Sequence, residues 1–158
     1  MEQTQAAALQ DRLAPGATCY GCGPANPLGL RIKSRPEGGE VVARWVPGPQ
    51  HQAFPGVVNG GVIATLVDCH GNWTAIHDLM ARDDLEAAPA TVTAELSVRY
   101  LRPTPAGGEI VLRGRVLELG ADRATVEVAV EAGGRATAVG RATYVAVQPG
   151  HPAYHRWE

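Results

Sequence analysis

The chain has 158 residues, a length that favours one domain with a sizeable core and leaves no room for a second catalytic module. Hydrophobic residues at 45% and charged residues at 19% exclude a disordered or fibrous chain. With 14 basic against 16 acidic groups, no Lys/Arg run and only 5% aromatics, the electrostatic footprint and the stacking platforms of a nucleic-acid binder are both missing.

Thr4 to Leu13 holds good helix formers and no breaker, and Pro15-Gly16 ends the predicted helix. Cys19 to Pro27 is too dense in Gly and Pro for regular structure. A first strand is predicted over Leu28–Lys33, a hairpin turn through Pro36-Glu37-Gly38-Gly39, and a second strand over Glu40–Val46. Pro47 to Gly56 reads as loop. From Gly60 to His77 the chain runs without proline, and at about 3.6 residues per turn Val62, Ile63, Leu66, Trp73 and Ile76 form an apolar side. Gly61, Ala64, Thr65, Asp68 and Asn72, all small or polar, form the other, and Asn59 has the side chain of an N-cap.

Beyond Pro89 the pattern is that of an antiparallel sheet. Val92, Ala94, Leu96, Val98 and Tyr100 alternate with Thr91, Thr93, Glu95, Ser97 and Arg99. Strands over Glu109–Leu117, Val126–Val130 and Ala136–Val147 follow, with a turn at Gly133-Gly134, and Pro149 to Glu158 is expected to be irregular. About six strands with one long helix inserted after the second exclude a doubly wound parallel sheet. They predict an α+β fold in which an antiparallel sheet curls around a single central helix. The small-residue stripe on that helix and a free sheet edge predict at least a dimer.

No run of about 18 apolar residues occurs, and Met1 to Leu13 lacks a basic-then-apolar signal pattern, so no membrane partner is expected. Cys19, Cys22 and Cys69 are an odd count that argues against a secreted disulfide framework, and the expected location is the cytoplasm.

Asp68 lies in the middle of an otherwise apolar helix, where it costs helix propensity and, if buried, desolvation. It is either a solvated or hydrogen-bonded structural group, or a general base or nucleophile tuned by a dry pocket. Gly60 and Gly61 either let the loop turn into the helix or present bare backbone N–H groups, at the positive end of the helix dipole, to a carbonyl oxygen under attack. Eight helical residues separate Gly60 from Asp68 by roughly 12 Å, whereas both groups must lie about 3 Å from one reacting carbonyl. One chain cannot supply both. Two such helices packed antiparallel across a two-fold axis can.

The run from His51-Gln52-Ala53-Phe54-Pro55-Gly56 through Asn59-Gly60-Gly61 to Asp68 resembles the signature of hotdog-fold acyl-CoA thioesterases of the phenylacetate-pathway (PaaI-like) type. In that signature a His-Gly-Gly or similar triplet opens a helix and an acid follows seven positions after the second glycine. Cys19-Tyr20-Gly21-Cys22-Gly23-Pro24-Ala25-Asn26-Pro27-Leu28-Gly29-Leu30 and Tyr100-Leu101-Arg102-Pro103 also resemble segments of this family. The resemblance implies a five- or six-stranded antiparallel sheet wrapped around one helix, a homodimer or dimer of dimers, and hydrolysis of an acyl-CoA thioester without metal or other cofactor. It divides the chain into an N-terminal helical extension (1–18), the hotdog domain (19–148) and a tail (149–158). Carried over by position, Asp68 is the catalytic carboxylate, Gly60 of the partner subunit polarises the carbonyl, and Thr93 orients the attacking water. Asn59 joins them at the helix start, with Gly61, His51, Phe54 and Arg102 as substrate contacts, Arg102 toward the CoA phosphates. The chain departs from the family at Asn59, where many relatives carry His, and at Ala53, where some carry Asn or Gln. A polar contact to the thioester is then either missing or, if the loop register differs, supplied by His51 or Gln52. A non-catalytic acyl-CoA-binding domain on the same scaffold is the competing reading.

Cys19 and Cys22 have C-x-x-C spacing, but zinc takes four ligands and no second close pair is present. Cys69, His70 or a partner chain are the conceivable completions, and no metal is expected. His70 and His77 are expected at the surface, and His151 and His155 in solvent. Trp73, Ile76, His77, Met80 and Phe54 are either acyl-pocket walls or core.

Overall fold

The computed structural model describes residues 5–158. A short helix α1 (Leu9–Leu13) precedes strands β1 (Ser34–Glu37) and β2 (Glu40–Trp45). A small hairpin of β3 (Gln52–Phe54) and β4 (Val57–Val58) leads into the long helix α2 (Gly60–Asp83). Strands β5 (Thr91–Tyr100), β6 (Ile110–Leu119), β7 (Arg123–Ala132) and β8 (Arg135–Ala146) follow. Six strands form one antiparallel sheet in the order β1-β2-β6-β7-β8-β5, and α2 packs against it. This is the hotdog arrangement, the α+β fold that the order of elements predicts.

Alternation on the sheet supplies the core. Ile110, Leu112, Val126, Val128, Val130, Ala138 and Tyr144 point inward, fully buried, onto Ile63, Leu66, Val67, Trp73 and Ile76 of α2. Each large side chain taken from water in this way contributes about 1.5–3 kcal/mol. The helix lies very close to the sheet: a Cβ added at Gly114 would collide with Thr74, and one at Gly140 with Val67.

Several boundaries differ from the sequence expectations. No strand forms over Leu28–Lys33. Arg31 adopts a left-handed backbone (φ 55°), and the N–H groups of Leu30 and Ile32 bond the Tyr20 and Gly21 carbonyls instead of a strand partner. The first strand starts at Ser34, and its turn is the Gly38-Gly39 pair alone, both at positive φ. Of the predicted N-terminal helix, Thr4 lies outside the described residues. The helix begins only at Leu9, because Ala8 is extended and no side chain caps it. α2 continues past His77 until Asp84 turns left-handed (φ 52°). Its predicted polar side is not free either: every residue from His70 to Ile76 is buried, and Asn72 accepts a hydrogen bond from Thr91 at 2.6 Å. The tail is irregular, with His151 and His155 exposed, yet Trp157 is buried against Trp73 and donates to the Pro89 carbonyl at 2.9 Å.

His70 is the largest departure from a surface expectation. It is fully buried, and its Nε2–H donates to the Val41 carbonyl at 2.8 Å. Its Nδ1 accepts from the Ser34 hydroxyl at 2.8 Å, and Ser34 is held in turn by both ends of the Gln10 amide. Burial pushes the imidazole down to about 4, against an ordinary value near 6.5. Between these values the unfolded chain binds a proton that the folded chain refuses. The stabilisation is therefore complete above pH ~6.5 and is lost as pH falls toward ~4, by roughly 3 kcal/mol. Denaturant unfolding across this window should show that slope, and His70→Gln should flatten it.

Candidate active site

The start of α2 is set by Asn59. Its extended backbone (φ −59°, ψ 134°) ends the loop, and its Oδ1 accepts the N–H groups of Gly61 at 2.8 Å and Val62 at 3.2 Å. Its own N–H goes to the His51 carbonyl at 2.8 Å. A helix leaves four N–H groups without intrahelical partners at this end. Three are thus satisfied, and only that of Gly60 has no acceptor among the described residues. The Gly60 carbonyl is fixed as well, by the Tyr100 hydroxyl at 2.6 Å.

The Gly60 backbone forms part of the wall of an apolar cavity of about 390 Å³, with Phe54 and Val57 of the β3–β4 hairpin, Ile63, Tyr100 and Arg102. Phe54 is 60% exposed at its mouth, an unusual cost for an aromatic ring unless something covers it. Of the five residues that the sequence allowed as pocket walls, only Phe54 lines this cavity. Trp73 and Ile76 are core, Met80 packs partly buried against that core, and His77 borders a separate polar cleft with Asp78.

Two turns further along α2 stands Asp68, half-buried. Its Oδ1 accepts from the Thr93 hydroxyl at 2.8 Å, while Oδ2 has no partner among the described residues. Burial raises the carboxyl above its ordinary range, and the Thr93 hydrogen bond offsets part of that rise. Tyr144 donates to the Asp68 backbone carbonyl at 2.7 Å and so anchors this turn of the helix to β8.

A β-bulge aims Thr93. Pairing of β5 with β8 runs Thr91↔Ala146 and Thr93↔Tyr144, then skips a residue before Glu95↔Thr143, leaving Ala94 as the extra residue. Strict alternation would put Thr93 and Tyr100 on opposite faces. The bulge reverses the alternation, so Thr91, Thr93 and Tyr100 all reach α2, at Asn72, Asp68 and Gly60.

Other candidates stand apart from this group. The His51 ring packs against Trp45 with its Nδ1 accepting from Gly48 N–H, and burial lowers its titration. Both ends of the Gln52 amide are engaged in the same loop, by Gly56 N–H and the Pro49 carbonyl. Gly61 is exposed with its N–H already taken by Asn59. The sequence reading gave neither Tyr100 nor Tyr144 a role at the site, because a strand tyrosine gives no local sign of which helix carbonyl it will reach.

Residues 55–139 match the thioesterase superfamily. The chain belongs to that superfamily. Among solved structures, a thioesterase superfamily protein from Shewanella loihica is 37% identical, with a TM-score of 0.62 over 74% of this chain and 91% of that one. A protein from Bacillus halodurans solved with CoA is 25% identical, at a TM-score of 0.61 over 75% of this chain and 76% of that one. A phenylacetic acid degradation-related protein from Ralstonia eutropha, 22% identical at a TM-score of 0.60 over 73% and 85%, shares the fold. No curated protein matches the chain. For this thioesterase superfamily member, acyl-CoA thioester hydrolysis is the general activity to which the family points.

Because the Thr93 hydroxyl stabilises the charged form of Asp68, Thr93→Val should raise the Asp68 pKa further, and Thr93→Ser should restore it. Carboxyl carbon NMR titration of the two variants reads this directly, with no substrate present.

Proposed function

We propose that the protein hydrolyses an acyl-CoA thioester to the free acid and CoA, with Asp68 as general base. The observation that carries this reading is a half-buried carboxylate with one oxygen held by Thr93 and the other open. Burial makes that carboxylate a stronger base than a solvated one. A water on Oδ2 gives its proton to Asp68 while its oxygen attacks the thioester carbonyl carbon. The carbon–sulfur bond then breaks, and the proton leaves with the CoA thiolate. The free N–H of Gly60 meets the oxyanion, the apolar cavity beside it takes acyl carbons, and Arg102 at its rim suits the CoA phosphates.

Within one chain the two groups are roughly 12 Å apart along the helix, so the reaction uses a homodimer. The edge strand supports this: β5 is ten residues long, is paired among the described residues only with β8, and exposes Leu96 and Tyr100, with Leu101 beyond its end. A two-fold axis near Leu96–Ser97 sets Thr93 opposite Tyr100 of the partner subunit. Asp68 of one copy then approaches Gly60 of the partner subunit, and the dimer carries two equivalent sites. Three free thiols suit a reducing cytoplasm.

Asp68→Asn should keep the fold and lower CoA release, followed with a thiol reagent, by roughly 100- to 10,000-fold. Unchanged turnover rejects Asp68 as the base. Binding without turnover across aliphatic and aromatic thioesters by the unaltered protein favours the non-catalytic domain instead. The Gly60 N–H can be removed selectively: proline fits the first helical position, and Asn59 already has the backbone that precedes proline. Gly60→Pro should cost roughly 100- to 1,000-fold, whereas Gly60→Ala, whose Cβ would sit 3.5 Å from Tyr100, should stay active. Mixing Asp68→Asn subunits with Gly60→Pro subunits should restore roughly a quarter of the sites if each is shared across the two-fold axis. No recovery means that each site belongs to one chain.

A further inference from the structure

We propose that Cys19, Cys22 and Cys69 form a binding site for one thiophilic divalent cation of the zinc class, held by three thiolates with the fourth position open to solvent beside Cys19. The three Sγ atoms lie within 4.8 Å of one another, and Cys19 and Cys69 are 3.7 Å apart. Thiolates about 2.3 Å from a tetrahedral zinc ion are about 3.8 Å from each other. The sulfurs come from two elements, a C-x-x-C turn and the middle of α2, so their convergence is tertiary.

The turn is built for close approach. Gly23 N–H closes it onto the Cys19 carbonyl at 2.8 Å, and backbone bonds from Leu30 and Ile32 to Tyr20 and Gly21 hold it down. A Cβ at Gly21 would collide with Cys69 Sγ, so only glycine lets the turn lie on the helix at that thiol. Trp73, buried beneath, donates its indole N–H to Cys22 Sγ at 3.3 Å, the outer support that a metal-bound thiolate takes. A disulfide accounts for two sulfurs and leaves the third unexplained, whereas three free thiols around one point are a partial coordination sphere. The bound ion would pin the Cys19–Gly23 turn to α2 one residue from Asp68. This inference does not rest on the hydrolase reading.

The test uses the full chain, reduced and stripped with chelator. Titration with Zn²⁺ against a chromophoric chelator should show one ion per chain, and Co²⁺ should give sulfur-to-cobalt charge-transfer absorption. Equimolar Zn²⁺ should protect Cys19, the most accessible of the three, from alkylation. Cys69→Ser should lose the stoichiometric site; should that variant misfold, Cys19→Ser on the outer turn makes the same test without touching the core. Zn²⁺ that leaves all three thiols reactive, a Co²⁺ complex without charge transfer, or an affinity unchanged in a folded Cys→Ser variant overturns the proposal. Turnover enters none of these readouts.

Discussion

The closeness of α2 to the sheet is the constraint from which the rest follows. Gly140 of β8 and Gly114 of β6 carry no side chain where Val67 and Thr74 press onto them, and Gly71 on the helix is bare where the Tyr144 phenol crosses it. Overpacking a contact of this kind costs about 1–3 kcal/mol, so the sheet keeps hydrogen at these points and the helix sinks. With Val67 seated on Gly140, the next residue, a helical step of about 100° round the axis, faces the edge strand. That residue is Asp68, and the depth of the helix brings its carboxylate within reach of Thr93. The same depth lets Tyr144 reach the Asp68 carbonyl and Tyr100 reach that of Gly60. Three hydroxyls on two strands thereby fix two helical turns.

Electrostatically the two turns differ. The helix dipole acts within the first turn, so Gly60 benefits from it and Asp68 does not. Asp68 is governed by burial, offset by Thr93. The helix thus separates an electropositive backbone site from a half-buried carboxylate along one rigid rod. A rod cannot bend to bring them together. What it can do is meet another rod, and β5 is the strand that carries both Thr93 and Tyr100, with one edge unpaired among the described residues. The element that supports both candidate positions is also the one available for pairing.

The sequence makes the helix legible because Asn59, the glycine pair and the spacing of Ile63, Leu66, Trp73 and Ile76 all act locally. The late strands are legible for the same reason, since valines alternate on them. What stays hidden is decided by distant partners. Leu30 and Ile32 look like strand residues and are buried like them, yet their N–H groups are claimed by the cysteine turn. The bulge at Ala94 leaves the composition of β5 unmarked, although it decides which side of the strand Thr93 faces. Cys69 reads as a helix residue until the turn at Gly21 is laid over it. His70 and Trp157 read as polar surface and irregular tail. Their burial depends on Gln10 and Ser34 in one case and on Trp73 in the other, all remote in sequence.

His70 and Asp68 show how one helix holds one polar group with every valence filled and another with a valence open. They are two residues apart, His70 fully buried and Asp68 half-buried. Every hydrogen-bonding atom of the imidazole has a partner, one accepting and one donating, and the ring stays neutral with nothing left to offer a ligand. The carboxylate has four lone-pair directions and, from side chains, a single donor. A buried polar group with its valences filled stiffens a core, whereas one with valences unfilled retains a drive to bind a proton or a water. The difference arises from direction: His70 projects toward β2, whose carbonyls and neighbouring hydroxyl are already in place, and Asp68 projects toward the edge, where the sheet stops and the described residues give no further side-chain donor. The open valence on this helix therefore lies where the described residues run out of partners.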